Sequence, residues 1–213
     1  MSDLRSSERS RRWVVFSQWC IAAVTVAALA VILGGPAPAA PSATKFKESK
    51  VVGTGSTTFR DVLQPPAMLV GLRAGIGPLD PTALTIHSLQ PKYLTSTGKV
   101  LGTIHGRLYA QDAKVEHMGL FVDVEAKEGY AIGAIVAKAG DRIDGFRVVF
   151  MRIRGDRLDP SDKYESRWVG GRGGGAETTL DGAGLPIIGI HGNSSADDLF
   201  SVGLIQPDVP AKP

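Results

Sequence analysis

From residue 67 onward the chain is patterned in twos, not in the 3.6-residue turns of a helix. No stretch after residue 35 holds apolar residues at i, i+3, i+4 and i+7 for three turns without a Gly or Pro. Short apolar or alternating runs recur instead at 68–76, 84–89, 99–108, 119–125, 131–138, 146–153, 165–169, 186–191 and 199–205, separated by Gly, Pro, Asp or Asn. In 119–125, Leu120, Val122 and Val124 share one face while Phe121, Asp123 and Glu125 share the other. Phe146, Val148 and Phe150 likewise oppose Arg147, Val149 and Met151. Strands at this spacing predict an all-β domain over 67–206: a sandwich, barrel or prism. That many strands bury a core without disulfides, and the 213 residues include a single cysteine, Cys20.

One segment contrasts with this pattern. Residues 13–33 carry no charge, and as a helix they extend roughly 31 Å, the thickness of a bilayer's hydrocarbon core. Trp13 and Trp19 stand near the start, where indole rings favour the interface. Arg5, Arg9, Arg11 and Arg12 precede the run, whereas Gly34, Gly35 and Pro36 follow it. The positive-inside rule then makes 1–12 a basic cytoplasmic tail, 13–35 a single-pass transmembrane helix, and the rest extracytoplasmic. A cleaved signal peptide is the competing expectation, since Ala37-Pro38-Ala39 loosely fits a small-x-small cleavage site. Both routes export the domain. Residues 36–66, rich in Pro and Gly, read as an extended spacer, and 207–213 as a Pro-rich tail.

The charge balance argues against a nucleic-acid partner. The 24 Lys and Arg exceed the 21 Asp and Glu by three, and four of the basic residues sit in the first twelve positions. No basic stripe remains for the domain. Arg142, Arg147, Arg152, Arg154 and Arg157 are locally dense and read as a solvated strand edge and turn.

Signatures of catalysis are also missing. His87, His105, His117 and His191 form no metal pair at i, i+2 or i+4, and there is no HExxH. A G-x-S-x-G nucleophile elbow is absent. The run from Gly170 to Gly175 lacks the ending of a phosphate loop and reads as a connector. Asp156, Asp159, Asp162 and Glu165 lack the spacing of a calcium loop and are matched by Arg154, Arg157, Lys163 and Arg167. The expectation is therefore a protein that is not an enzyme and needs no cofactor or metal.

The closing segment carries the most information. Pro186 to Ile205 reads as strand, polar loop, strand, with Asn193, Ser194, Ser195, Asp197 and Asp198 in the loop. Amide, hydroxyl and carboxylate groups there suit paired donor–acceptor recognition of sugar hydroxyls. This segment resembles the last hairpin of jacalin-related lectins, in which an apolar strand ending in [FI]-[HK]-G precedes a Gly-x-x-x-Asp loop. Residues 129–137 followed by 143–150 resemble that family's central strand pair, and 70–77 its Gly-rich first strand. The likeness covers roughly 68–206. In this chain Ser195 stands where the loop's Gly falls, and the loop is one residue longer. Asp197 or Asp198 is left to supply the carboxylate, and Leu199 or Phe200 occupies the aligned position.

The resemblance implies a β-prism of three Greek-key sheets and, by extension, carbohydrate binding without catalysis. The implied site is Gly192, Asn193, Ser194, Ser195, Asp197 and Asp198, with Lys138 and Asp141 from the loop 138–142 beside it. The implied partners are glycans. The alternative is a structural or protein-interaction module that contacts envelope proteins and takes no sugar.

Overall fold

The computed structural model describes residues 45–80, 83–107 and 120–208. The expected membrane segment and the last five residues lie outside that set. Among the described residues no helix is long and apolar enough to cross a membrane. The regular structure of the described residues is all β, in strands β1 (Phe46–Glu48), β2 (Val52–Gly53), β3 (Thr58–Val62), β4 (Met68–Asp80), β5 (Ala83–Thr95), β6 (Gly98–Leu101), β7 (His105–Gly106) and β8 (Leu120–Glu125), then β9 (Tyr130–Ala139), β10 (Ile143–Arg154), β11 (Arg157–Glu165), β12 (Val169–Gly170), β13 (Thr178–Asp181), β14 (Gly189–Ser194) and β15 (Leu199–Pro207).

These strands form three five-stranded antiparallel sheets. The terminal sheet runs β1-β15-β14-β3 with β2 also on β15; the second runs β6-β5-β4-β8 with β7 on β5; the third runs β11-β10-β9-β13 with β12 on β10. The three-sheet all-β expectation holds.

Its amino-terminal boundary does not. The expected spacer 36–66 contains β1, β2 and β3, which pair with the last hairpin: Phe46 opposes Pro207, Val52 opposes Val202, and Phe59 opposes Gly192. The domain is therefore already under way at Phe46. These strands are two to five residues long, and they are fixed by partners at the far end of the chain. Local patterning carries no trace of such pairing. The run 70–77, matched above to a Gly-rich first strand, belongs to β4 in the second sheet instead. The acidic segment 156–165 is mostly strand β11, where Asp159 and Asp162 pair with Arg154 and Arg152. Pro207 belongs to β15 rather than to a tail.

The sheets close on one core. Leu72, Ile86 and Tyr93 come from the second sheet, Ile132, Phe146 and Phe150 from the third, and Ile190, Leu199 and Leu204 from the terminal sheet. Each is at most 2% exposed, and burying each large side chain contributes about 1.5–3 kcal/mol. A second cluster of Ala131, Ala134, Val136, Val149 and Met151 packs on the other face of the third sheet. Successive β9 residues thus feed different clusters, so 131–137 is buried throughout and its sequence is continuously apolar.

A polar clasp joins the terminal and second sheets. Asp61 of β3 is 8% exposed. Its carboxylate accepts from the Tyr93 hydroxyl at 2.8 Å and the Thr103 amide at 2.6 Å, and lies 3.4 Å from His105 Nε2. Burial alone would raise the Asp61 pKa. The hydrogen bonds from His105, Tyr93 and Thr103 outweigh it and hold the group below the ordinary carboxylate range.

Candidate functional site

At one end of the fold three loops meet. Residues 54–57 join β2 to β3, 140–142 join β9 to β10, and 195–198 join β14 to β15. The first presses into the third: a Cβ on Gly55, whose φ is +109°, would lie 2.8 Å from the Asn193 Cβ and 3.0 Å from the Phe200 Cβ. Only glycine meets both the backbone conformation and the contact there. The Ser194 amide donates to the Thr57 carbonyl at 2.9 Å, and the Thr54 hydroxyl to the Asp141 carbonyl at 2.8 Å.

Between the loops lies a groove of about 520 Å³. The terminal sheet supplies Thr54 and Gly55 from its β2–β3 loop and Phe200 from β15. The second sheet supplies Thr85, and the third supplies Asp141 and Arg142 from the β9–β10 loop and Asp144 from β10. Hydroxyls, carboxylates and a guanidinium thus surround one aromatic ring, over which the Arg142 guanidinium sits at 5.5 Å. The set offers both donors and acceptors to a polyhydroxylated ligand.

The expected site residues divide. Loops 192–198 and 138–142 do meet, through Arg142 Nη1 donating to Asp198 Oδ2 at 2.5 Å. Asp141 lines the groove. Asp197 is 77% exposed, with Arg107 at 3.8 Å, and lies in the hairpin loop next to Asp198 rather than among the groove's lining residues. Ser195 shapes the turn: its hydroxyl oxygen accepts from the amides of Asp197 and Asp198, both at 3.1 Å. Gly192 and Asn193 instead line a separate groove with Glu48, Arg60 and His191, and the Asn193 amide donates to Ser201. Lys138 donates to the Arg172 carbonyl and is not among the groove's lining residues.

Asp198 departs most from expectation. It is 14% exposed, and its other oxygen accepts from His87 Nδ1 at 2.6 Å. A carboxylate at that distance fixes the proton on Nδ1, so Nε2 faces the Thr85 hydroxyl at 3.2 Å. Thr85, His87 and Asp198 follow the order of a hydrolytic triad. Thr85 is only 1% exposed, however, and the Gly140 amide beside it already donates to Asp144 and to the Arg142 carbonyl. The described residues thus show neither an accessible nucleophile nor an oxyanion donor pair at this position. No group of three His, Cys, Asp or Glu among them converges to hold a metal.

The sequence does not single out Thr54, Gly55, Thr85 or Asp144, and it shows His87 only as an isolated histidine and Phe200 only as an occupant of the aligned loop position. The Gly53-Thr54-Gly55-Ser56 run does carry a local signal, a turn-forming composition that also suits a spacer.

No family model and no curated protein matches the chain. Solved structures do match. A mannose-specific jacalin-related lectin from Morus nigra in complex with mannose superposes with a TM-score of 0.54 at 12% identity, over 79% of this chain and 98% of that one. A mannose-binding lectin from Champedak gives 0.53 at 13% identity, over 78% and 99%. A mannose-binding jacalin-related lectin from Ananas comosus gives 0.52 at 15% identity, over 76% and 98%. At such identities the likeness establishes the three-sheet β-prism fold alone.

Proposed function

We propose that this domain is a non-catalytic carbohydrate-binding module, carried on the extracytoplasmic side of a membrane by the apolar segment 13–33. The observation that carries the reading is the groove itself, where the terminal and third sheets bring Thr54, Asp141, Arg142, Asp144 and Phe200 together beside Thr85 of the second. The names of the structural neighbours make mannose the first saccharide to test. Asp197 and Asp141 accept hydroxyl protons, as does the Thr54 oxygen, whose own proton goes to the Asp141 carbonyl; the Arg142 guanidinium and backbone amides donate, and the Phe200 ring supplies an apolar face. An open groove of this kind binds single sugars weakly, and several copies on one membrane supply avidity.

One observation favours the alternative, an envelope module without a sugar ligand: both Asp198 oxygens are engaged inside the protein. A glycan array probed with the full chain separates the two. The carbohydrate reading expects retained glycans that are lost in Asp141→Ala plus Asp197→Ala. Wild-type protein that retains no glycan while capturing one specific envelope protein decides for the alternative.

A further inference from the structure

Beside the groove, Thr85, His87, Asp198 and Arg142 form one chain of hydrogen bonds. Asp198 lies in the terminal sheet's hairpin, His87 and Thr85 lie on β5 of the second sheet, and Arg142 lies in the β9–β10 loop of the third. A single carboxylate therefore ties three sheets together at the end where the groove opens. The Thr85 hydroxyl bonds His87 Nε2 at 3.2 Å, His87 Nδ1 donates to Asp198 Oδ1, and Arg142 donates to Oδ2. His87 is 2% exposed and Asp198 14%, so these bonds form largely out of water. In that setting charge-assisted hydrogen bonds are strong and a missing partner is costly.

We propose that Thr85, His87 and Asp198 are positioning residues for the saccharide groove, acting as one relay that fixes Arg142 and the loop 195–198 against each other. Asp198 is then a latch rather than a sugar contact. Within the hairpin loop, hydroxyl contact falls to Asp197, which is 77% exposed. Arg142 links the relay to the binding surface. One of its nitrogens holds Asp198, its guanidinium lies over the Phe200 ring, and both Arg142 and Phe200 line the groove. A shift of His87 inside the fold therefore moves two groove walls that belong to different sheets.

The affinity arm of this inference rests on the saccharide reading above; the structural arm does not. The test is hydrogen–deuterium exchange on the full chain in detergent, paired with mannose titration. Thr85→Val keeps the side-chain shape and removes the hydroxyl; Thr85→Ser restores it. Thr85→Val is expected to speed exchange of the amides of both 140–142 and 195–199 and to weaken mannose about tenfold. Thr85→Ser is expected to return both to wild-type values. Asp198→Asn is expected to loosen the same two loops, whereas Asp197→Asn weakens mannose and leaves their exchange unchanged. Fast exchange confined to β5 in Thr85→Val, with both loops at wild-type rates, overturns the relay. If the wild type takes up no saccharide, the functional reading fails, while the paired loop exchange still decides whether the relay exists.

Discussion

Asp61 shows how one buried carboxylate sets both stability and its pH dependence. Its oxygens accept from Tyr93, Thr103 and His105, and these bonds lower its pKa against the opposing effect of burial. A depressed carboxylate pKa stabilises the fold above the unfolded value of about 3.9, and that contribution is lost as pH falls through the lower folded value. Acid titration of the melting temperature is therefore expected to show a drop below about pH 4 that is smaller in Asp61→Asn. Asparagine keeps one acceptor oxygen and turns an NH2 toward the other site, so either the Tyr93 hydroxyl or the Thr103 amide loses its side-chain acceptor, at a cost of about 1–3 kcal/mol in chemical denaturation. A melting temperature that Asp61→Asn leaves unchanged contradicts the clasp. Gly55 belongs to the same scale. With φ at +109° and Asn193 and Phe200 against it, Gly55→Val is expected to displace the β2–β3 loop and lose saccharide binding while the core stays folded.

Residue chemistry was legible in the sequence, but residue partnership was not. The polar hairpin loop announced Asp197 and Asp198 as candidate acceptors. Nothing local distinguishes an Asp that faces solvent from one that meets a histidine 111 positions earlier in the chain. His87 likewise reads as an isolated histidine in an apolar run, since its bond to Asp198 exists only once the second and terminal sheets adjoin.

Among the elements, legibility followed the source of stability. Strands β4, β5, β9, β10 and β15 carry enough apolar or alternating residues to declare themselves, because each feeds the core directly. Strands β1, β2 and β3 do not. Two to five residues long and broken by Gly53 and Gly55, they depend on cross-strand pairing with β14 and β15. The short β13 went unseen for the same reason: its register is set by Ile135 and Val136 of β9. The pairing makes a direct prediction. A chain beginning at residue 42 is expected to unfold cooperatively, while one beginning at residue 67 lacks three strands of the terminal sheet. The shorter chain exposes β14 and the outer edge of β15 and is expected to aggregate or melt at a much lower temperature. Equal stability of the two, read by thermal circular dichroism, contradicts the placement of 46–62 in the domain.

At the scale of the described domain, three sheets close on one core and the end groove lies where loops of the terminal and third sheets meet beside β5, so the proposed binding depends on closure of the prism rather than on any single strand. Several arginines of the segment 142–157 are matched by carboxylates. Arg147 pairs with Glu165 and Glu177, Arg152 with Asp162 and Arg154 with Asp159, linking neighbouring strands of the third sheet. Exposed pairs of this kind contribute about 0–1 kcal/mol each, so they matter for solubility more than for fold. The proposed membrane attachment is checked by fractionation: the full chain is expected in the membrane fraction, and accessibility to added protease is expected only from the extracytoplasmic side. The central claim, that the end groove takes a saccharide, is tested most directly by mapping backbone amide shifts while mannose is titrated into the isotopically labelled full chain. The account predicts saturable shifts clustered at Thr54, Gly55, Gly140 to Arg142, Asp197 and Phe200. Shifts centred on the groove of Glu48, Arg60 and His191, or none at saturating sugar, contradict it.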